Sequence, residues 1–136
     1  MADRSFKLEI VSPQRVVFVD SVESFTAPGT LGSFQVLYNH APLLSSIGIG
    51  EVKVVDTKGQ AFRYATSGGF VEVRQNHVVT LAETAERWDQ IDVERAKAAR
   101  DRATKRLAEK KADTDLVRAR AALARALNRL RIVERE

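Results

Sequence analysis

Arginines recur at helical spacing in the last third of the chain, where they could bind phosphate or carboxylate groups. At about 100° per residue, Arg118, Arg125 and Arg129 fall in one sector of a helix. Upstream, Arg95 and Arg102 are seven residues apart and share a helix face in the same way. A guanidinium group forms two parallel hydrogen bonds to phosphate or carboxylate, which an ammonium group cannot do. Two such helices folded into an antiparallel hairpin could bring three arginines to face two.

An exposed arginine row is also what an ordinary solvated helix carries, because arginine and alanine are both strong helix formers. The exclusive use of arginine favours a binding role: from Leu116 onward the chain has six arginines and no lysine. Residues 1–87 carry 8 basic and 9 acidic side chains, whereas residues 88–136 carry 14 basic and 9 acidic ones. A partner with negative charge would therefore meet the tail. On the residues alone, solvation and anion binding are both open interpretations.

The elements that must position these arginines are two helices. Residues 91–133 contain no glycine, proline or aromatic residue, and Asp92 is placed to cap a first helix. A narrow stripe of small apolar residues marks it: Ala96, Ala99, Ala103 and Leu107. The cluster Asp113-Thr114-Asp115 could start a second helix. Leucines at helical spacing mark that helix: Leu116, Leu123, Leu127 and Leu130. We predict a hairpin of about 20 residues per arm with its break near 111–114.

The residues before this hairpin predict a β domain. Phe6, Leu8 and Ile10 alternate with polar residues, as in a strand with one buried face. Turn residues then interrupt the chain repeatedly up to Gly69. We predict an antiparallel β-sandwich or barrel of eight or more short strands over residues 1–87, followed by a helical domain over 88–136. Ser67-Gly68-Gly69 is expected to be a bulge or a point of close strand packing, since a strand rather than a helix follows.

Signals for catalysis are absent from the sequence. It has no G-x-x-x-x-G-K-S/T loop and no H-E-x-x-H pattern, and His40 and His77 are too scattered to suggest a metal site. The lack of cysteine excludes disulfides and thiolate metal ligands. The sequence has no run of about 18 apolar residues, so we predict no membrane span, and we expect no signal peptide. We therefore predict a protein without catalytic or metal-binding residues, which could associate with a membrane only through a partner.

Four segments carry a resemblance to a known family: Leu8–Pro13 followed by Val16-Val17, Gly32–Leu37 followed by His40–Leu43, Ser67–Val73, and Ile91–Ala96 with the arginine-rich second arm. In this order and spacing, the chain resembles the epsilon subunit of the bacterial F-type ATP synthase over essentially its whole length. Tyr38-Asn39 stands where relatives often have Pro-Gly, which is expected to alter only a turn.

The resemblance implies a non-catalytic subunit that helps to couple proton flow to rotation. Its β-sandwich would sit at the foot of the central stalk and contact the gamma subunit and the ring of c subunits. Its hairpin would have two states: folded down it permits turnover, and extended along gamma toward the alpha and beta subunits it blocks ATP hydrolysis. The protein would be peripheral to the cell membrane, on its cytoplasmic side.

The C-terminal segment resembles the ATP-binding variant found in thermophilic Bacillus-like relatives. This implies ATP as a regulatory ligand that is bound in the down state without being hydrolysed. In such relatives the Ile-Asp segment contacts the adenine and the arginines face the phosphates. The positions carried over are Glu86, Ile91, Asp92, Arg95, Ala96, Arg102, Arg118, Arg125 and Arg129. Whether Mg²⁺ accompanies the nucleotide is left open by these residues.

The alternative function is an arginine-rich nucleic-acid-binding module. A basic chain of pI about 9.7 could bind phosphates in a salt-dependent manner. Against this, the helical arms lack aromatic residues for base stacking. Acidic residues also interrupt the basic pattern: Asp101, Glu109, Asp113 and Asp115.

Overall fold

The computed structural model describes residues 4–109, 111–112 and 115–134. Contacts between Cα atoms divide the chain into two compact units, Met1–Arg87 and Trp88–Glu136. The β unit contains the strands β1 (Phe6–Val11), β2 (Val16–Ala27), β3 (Phe34–Val36), β4 (Leu43–Asp56), β5 (Ala61–Arg74), β6 (His77–Ala82) and β7 (Ala85–Arg87). The helical unit contains a 3₁₀ turn (Trp88–Gln90), α1 (Val93–Glu109) and α2 (Leu116–Glu134).

The strands of the β unit form a closed ring. β1 pairs with both β2 and β6, which completes the circuit β1-β6-β5-β4-β2, while β3 pairs with β2 and β7 with β5. This confirms the predicted β-sandwich or barrel class. The prediction of a wholly antiparallel arrangement was wrong at one place, because β1 and β6 are parallel. A ring of five strands cannot alternate direction all the way round, so one neighbouring pair must be parallel.

Fewer and longer strands are present than the sequence predicted. Seven strands lie within the described residues, whereas eight or more were expected. β2 continues through Asp20 and Ser21, which pair with Leu8 and Lys7 of β1. β4 likewise continues through its glycines for 14 residues. Polar residues and glycines therefore lie within long strands here rather than at strand ends.

Gly69 occupies a position in β5 that only glycine fits. Its φ of 142° lies in a region that side chains disfavour, and it pairs with Ala82 of β6. A Cβ atom at this position would overlap the carbonyl oxygen of Leu81. The expectation of close strand packing at Ser67-Gly68-Gly69 is therefore confirmed, with β5 running through the segment without a break.

The core of the β unit lies between its layers and is filled by large side chains. Phe25, Leu8 and Ile10 are the largest of its fully buried residues. At the margin of this cluster, the ring of Phe18 lies 5.9 Å from that of Phe62 and 6.4 Å from that of Tyr64, measured between centroids. The apolar residues Phe6, Leu8 and Ile10 of β1 therefore face this core, as their alternation with polar residues predicted.

Both helices begin at an aspartate cap. Asp92 Oδ1 accepts a hydrogen bond from the Arg95 N–H at 3.0 Å, and Asp115 Oδ1 accepts one from the Arg118 N–H at 3.0 Å. The predicted cap at Asp92 is confirmed. Within the predicted 113–115 cluster the cap is Asp115, while Asp113 and Thr114 lie outside the described residues. The arms are 17 and 19 residues long, close to the predicted length.

Alanines form the seam between the two helices. In α1, Ala96 and Ala103 are buried, as are Ala119 and Ala126 in α2, and the two helices pack against each other. The leucine row of α2 is divided, since Leu130 is buried while Leu127 is 47% exposed and Leu116 is 38% exposed. Small side chains let the helix axes approach closely, and larger residues are buried near the end of α2, at Leu130 and Ile132.

Candidate functional site

The predicted site residues are distributed over both structural units. Glu86 lies in β7 of the β unit, where it pairs with Ala65 of β5. The other eight belong to the helical unit and lie on α1, on α2 or directly before α1.

The segment Ile91–Ala96 builds the start of α1. Ile91 is buried, and Asp92 is exposed with one carboxylate oxygen engaged as the helix cap. Ala96 is buried in the seam, and its N–H donates to the backbone carbonyl of Asp92 at 3.0 Å. This motif therefore has a structural role in starting the helix, whatever else it binds.

Four of the predicted arginines occupy equivalent positions next to the alanine seam. Each directly precedes a buried seam alanine, in the pairs Arg95-Ala96, Arg102-Ala103, Arg118-Ala119 and Arg125-Ala126. One residue corresponds to about 100° around a helix axis, so all four arginines are rotated away from the seam in the same sense. Two antiparallel arms are related by a two-fold axis perpendicular to them. The same rotation in each arm therefore places the arginines of both arms on one side of the hairpin.

Helix spacing extends this arginine side. Arg129 follows Arg125 by four residues and so lies on the same face of α2. Arg106 follows Arg102 by four residues and joins the face of α1. The sequence-based set omitted Arg106, although the four-residue spacing could have identified it.

Several of these guanidinium groups are available to a ligand. Among the residues that the structure describes, no carboxylate lies within ion-pair distance of Arg95, Arg102, Arg118 or Arg125. Other arginines of the hairpin are engaged: Arg100 Nε lies 3.1 Å from Asp101 Oδ1, and Arg131 Nη2 donates to Asn128 Oδ1 at 2.9 Å. A cluster of cations without counter-ions repels itself, and a bound polyanion relieves that repulsion.

The described residues meet neither the requirements of a metal site nor those of a membrane-spanning helix. Within the described ranges, no three His, Asp or Glu side chains are grouped so that they could hold a metal ion. Neither α1 nor α2 combines the length and apolar character that crossing a membrane requires.

Comparison with known proteins identifies the family. Residues 5–88 match the family model for the ATP synthase, Delta/Epsilon chain, beta-sandwich domain, and residues 89–134 match its long alpha-helix domain. The ATP synthase epsilon chain of Desulforamulus reducens is 46% identical over 94% of this chain and 96% of its own length. That of Syntrophomonas wolfei is 43% identical over 99% of this chain and 98% of its own length. The chain belongs to the ATP synthase epsilon chain family.

Solved structures show the same fold at much lower identity. A chain of the Euglena gracilis mitochondrial ATP synthase aligns with a TM-score of 0.78 at 20% identity, covering 100% of this chain and 84% of that one. A chain of the Tetrahymena thermophila mitochondrial ATP synthase aligns with a TM-score of 0.58 at 12% identity, covering 99% and 98%. The resemblance drawn from the sequence is thereby confirmed at the level of family and fold. The nucleic-acid-binding alternative finds no support among these relatives.

Proposed function

We propose that the chain is the central-stalk epsilon subunit of an F-type proton-translocating ATP synthase, and that it couples the catalytic head to the c-ring without chemistry of its own. Membership of the epsilon chain family supports this proposal. The solved chains with this fold come from an OSCP/F1/c-ring assembly and from a central stalk/c-ring assembly of mitochondrial ATP synthases. The chain would be peripheral to the cell membrane on its cytoplasmic side, held there by the complex.

The outer face of the β unit offers the surface for this assembly. Phe70 of β5 and Leu81 of β6 are exposed cross-strand neighbours, and the exposed Leu44 of β4 pairs with Glu72, two residues further along β5. Contiguous exposed apolar side chains, with an aromatic residue among them, are typical of protein interfaces. We assign this face to the gamma subunit. We assign the exposed loop after β3, residues 37–42, to the c-ring, because it presents the apolar side chains of Leu37 and Tyr38 at the surface of the β unit.

The hairpin would act as a regulator of ATP hydrolysis. One observation carries this proposal: arginines from both arms lie on one side of a hairpin whose seam is made of alanine. ATP bound across these arginines would link the arms and stabilise the down state. The same arginines, released in the extended state, would contact acidic segments of the beta subunits. ATP serves here as a regulatory ligand that is not hydrolysed.

The free energy that bound ATP adds to the down state depends on the ATP concentration relative to Kd. ATP that binds only the down state stabilises it by about 2.7 kcal/mol at a hundredfold excess over Kd. The alanines contribute little apolar burial, and among the described residues of α2 the large apolar side chains that are buried are Leu130 and Ile132. We therefore infer a free-energy gap of a few kcal/mol between the two hairpin states, a size that ATP binding can reverse. Cellular ATP would then hold the hairpin down, and a fall in ATP would release it to inhibit hydrolysis.

Calorimetric titration of the full chain with ATP tests the binding site. Arg118→Ala should weaken binding at least tenfold, because it removes a charge-assisted contact to phosphate. Arg120→Ala is the matched control, since Arg120 is also exposed on α2 but is not on the arginine side. Equal affinity of Arg118→Ala and the unmodified chain would remove the site assignment. Titrations with and without Mg²⁺ determine whether the ion accompanies the nucleotide.

Asp92 needs a substitution that separates binding from capping. Asp92→Ala would remove the cap of α1 as well as a proposed contact to the nucleotide. Asparagine caps a helix about as well as aspartate, so Asp92→Asn keeps the helix start. We expect Asp92→Asn combined with Arg95→Ala to abolish ATP binding while the helical circular dichroism is unchanged.

Truncation tests the inhibitory role in the assembled enzyme. A chain that ends at Trp88 retains every strand of the β unit and lacks both helices. The proposal requires this chain to assemble and the complex to hydrolyse ATP faster than the complex with the full chain. No gain in the hydrolysis rate would mean that the hairpin does not inhibit this enzyme.

A further inference from the structure

The side chain of Asn76 joins three segments of the β unit. Asn76 lies in the turn between β5 and β6, and its Nδ2 donates to the Ser5 carbonyl at 2.9 Å. Its Oδ1 accepts a hydrogen bond from the Asn39 N–H at 2.8 Å, and its backbone carbonyl accepts one from the Lys7 N–H at 3.3 Å. The carboxamide therefore ties the residue before β1 to the loop after β3, with one hydrogen bond from each of its two polar atoms.

The loop that Asn76 holds carries exposed apolar side chains. Residues 37–42 connect β3 to β4, with Leu37 51% exposed and Tyr38 47% exposed. Directly after them, Asn39 has a φ of 59°, a left-handed conformation that only a few residue types adopt readily. Within the described part of the chain, the hydrogen bond of the Asn39 N–H is the one to Asn76 Oδ1. The position of this N–H therefore depends on the side chain of a distant turn.

We propose that Asn76 is a positioning residue that holds residues 37–42 in one conformation, so that Leu37 and Tyr38 are presented pre-organised to the c-ring. The proposal rests on the assignment of this loop to the c-ring under the proposed function. A loop that is ordered before binding loses less conformational freedom when it binds, and its affinity is correspondingly higher. The residue acts through the loop and does not itself contact the partner.

The turn itself supplies a matched control. Gln75 and Asn76 are neighbours, and both have left-handed φ values, 52° and 59°. Gln75 is exposed, and within the described residues its side chain has no hydrogen bond. Glycine adopts positive φ freely, so it keeps the turn at either position. Asn76→Gly therefore removes the carboxamide and its hydrogen bonds to Asn39 and Ser5. Gln75→Gly also introduces a glycine into the turn, but it removes no side-chain hydrogen bond among the described residues.

Amide hydrogen exchange in the full chain tests the tie directly. Loss of one hydrogen bond should speed exchange of the Asn39 N–H about tenfold in Asn76→Gly. Gln75→Gly should leave it unchanged. Asn76→Asp keeps an oxygen that accepts from Asn39 but places its second carboxylate oxygen against the Ser5 carbonyl, so Asn39 exchange should lie between those of the unmodified chain and Asn76→Gly. Unchanged Asn39 exchange in Asn76→Gly would overturn the proposal.

Binding to ATP synthase membranes that lack this subunit tests the functional part. Asn76→Gly should need several-fold more protein for half-saturation, at a temperature where circular dichroism shows it folded. Gln75→Gly should bind like the unmodified chain, and Asn76→Asp should bind no more weakly than Asn76→Gly. If the unmodified chain does not bind, the proposed function fails, and the exchange measurement still decides the tie. If it binds and Asn76→Gly binds equally well, the positioning role is wrong.

Discussion

The β unit and the helical hairpin fill their interiors with different residues. In the β unit, Phe25, Leu8 and Ile10 are completely or almost completely buried. In the helical unit the buried residues of α1 are the alanines Ala96 and Ala103, whereas α2 buries Leu130 and Ile132 besides its alanines. Burying a Phe, Leu or Ile side chain contributes about 1.5–3 kcal/mol, whereas a single methyl group contributes much less. The strands therefore have a larger apolar driving force for folding than the helix pair has.

This difference suits the two units to different tasks. A closed ring of strands around a core of large side chains makes a stable platform, with exposed side chains such as Phe70 on its outer face. A hairpin with a thin seam can open at low free-energy cost, and aspartate caps at both helix starts help each helix to persist when the arms separate. Helices that stay helical while their packing changes are what the proposed two-state hairpin requires.

The largest effect is expected in the core of the β unit. Phe25→Ala should lower the free energy of unfolding by about 3–5 kcal/mol, because it leaves a cavity between the layers. Phe70→Ala removes the same side chain from a more exposed site of β5, where it loses its cross-strand contact with Leu81, and should lower stability by about 1 kcal/mol or less. Urea denaturation followed by circular dichroism measures both. Similar losses in the two variants would mean that the core does not dominate the stability of this unit.

A smaller effect is expected at the helix seam. Ala126→Leu should destabilise the hairpin by about 1–3 kcal/mol, because a larger side chain cannot fit between closely packed helices. Ala124→Leu is the control, since Ala124 is exposed on the same helix. Thermal loss of ellipticity at 222 nm compares the two variants. A seam that accepts leucine at position 126 without loss would show that the helices are not held at close approach.

A third effect concerns the helix starts. Asp115→Ala should lower the stability of α2 by about 1 kcal/mol, since the Arg118 N–H loses its partner. Asp101→Ala removes an exposed aspartate that contacts Arg100 alone among the described residues, and should have little effect. The same melting curves at 222 nm distinguish the variants. Equal melting of both would argue against a contribution of the cap to helix persistence.

The smallest effect is a gain in the β unit. Thr80 is fully buried, and its hydroxyl has no hydrogen-bond partner among the described residues. Thr80→Val should therefore raise the free energy of unfolding by up to about 1 kcal/mol. At Thr66 the hydroxyl accepts the Gly68 N–H at 3.3 Å, so Thr66→Val should lower it by a similar amount. Urea denaturation that gave both changes the same sign would contradict this account of the two hydroxyls.

Local patterns predicted the helical unit better than the β unit. The cap at Asp92 and the alanine stripe depend on neighbours three to seven residues away, so they can be recognised in the sequence. The strand count failed because the path of β2 through Asp20 and Ser21 depends on pairing with β1. The parallel β1–β6 pair follows from closure of the ring, which no local pattern encodes. The role of the leucine row was also decided by packing, since Leu130 is buried while Leu127 remains exposed.

The sequence by itself determined the family, the change from strands to helices after residue 87, and the spacing of the arginines on each helix. It could do so because periodicity and capping are properties of short segments. Only the tertiary structure decided which alanines of each helix are buried in the seam. Because an arginine directly precedes each of these alanines, the arginines of both helices lie on one side of the hairpin. The tertiary structure also decided that a turn residue, Asn76, holds a loop 37 residues away. Both depend on segments that meet only when the chain has folded.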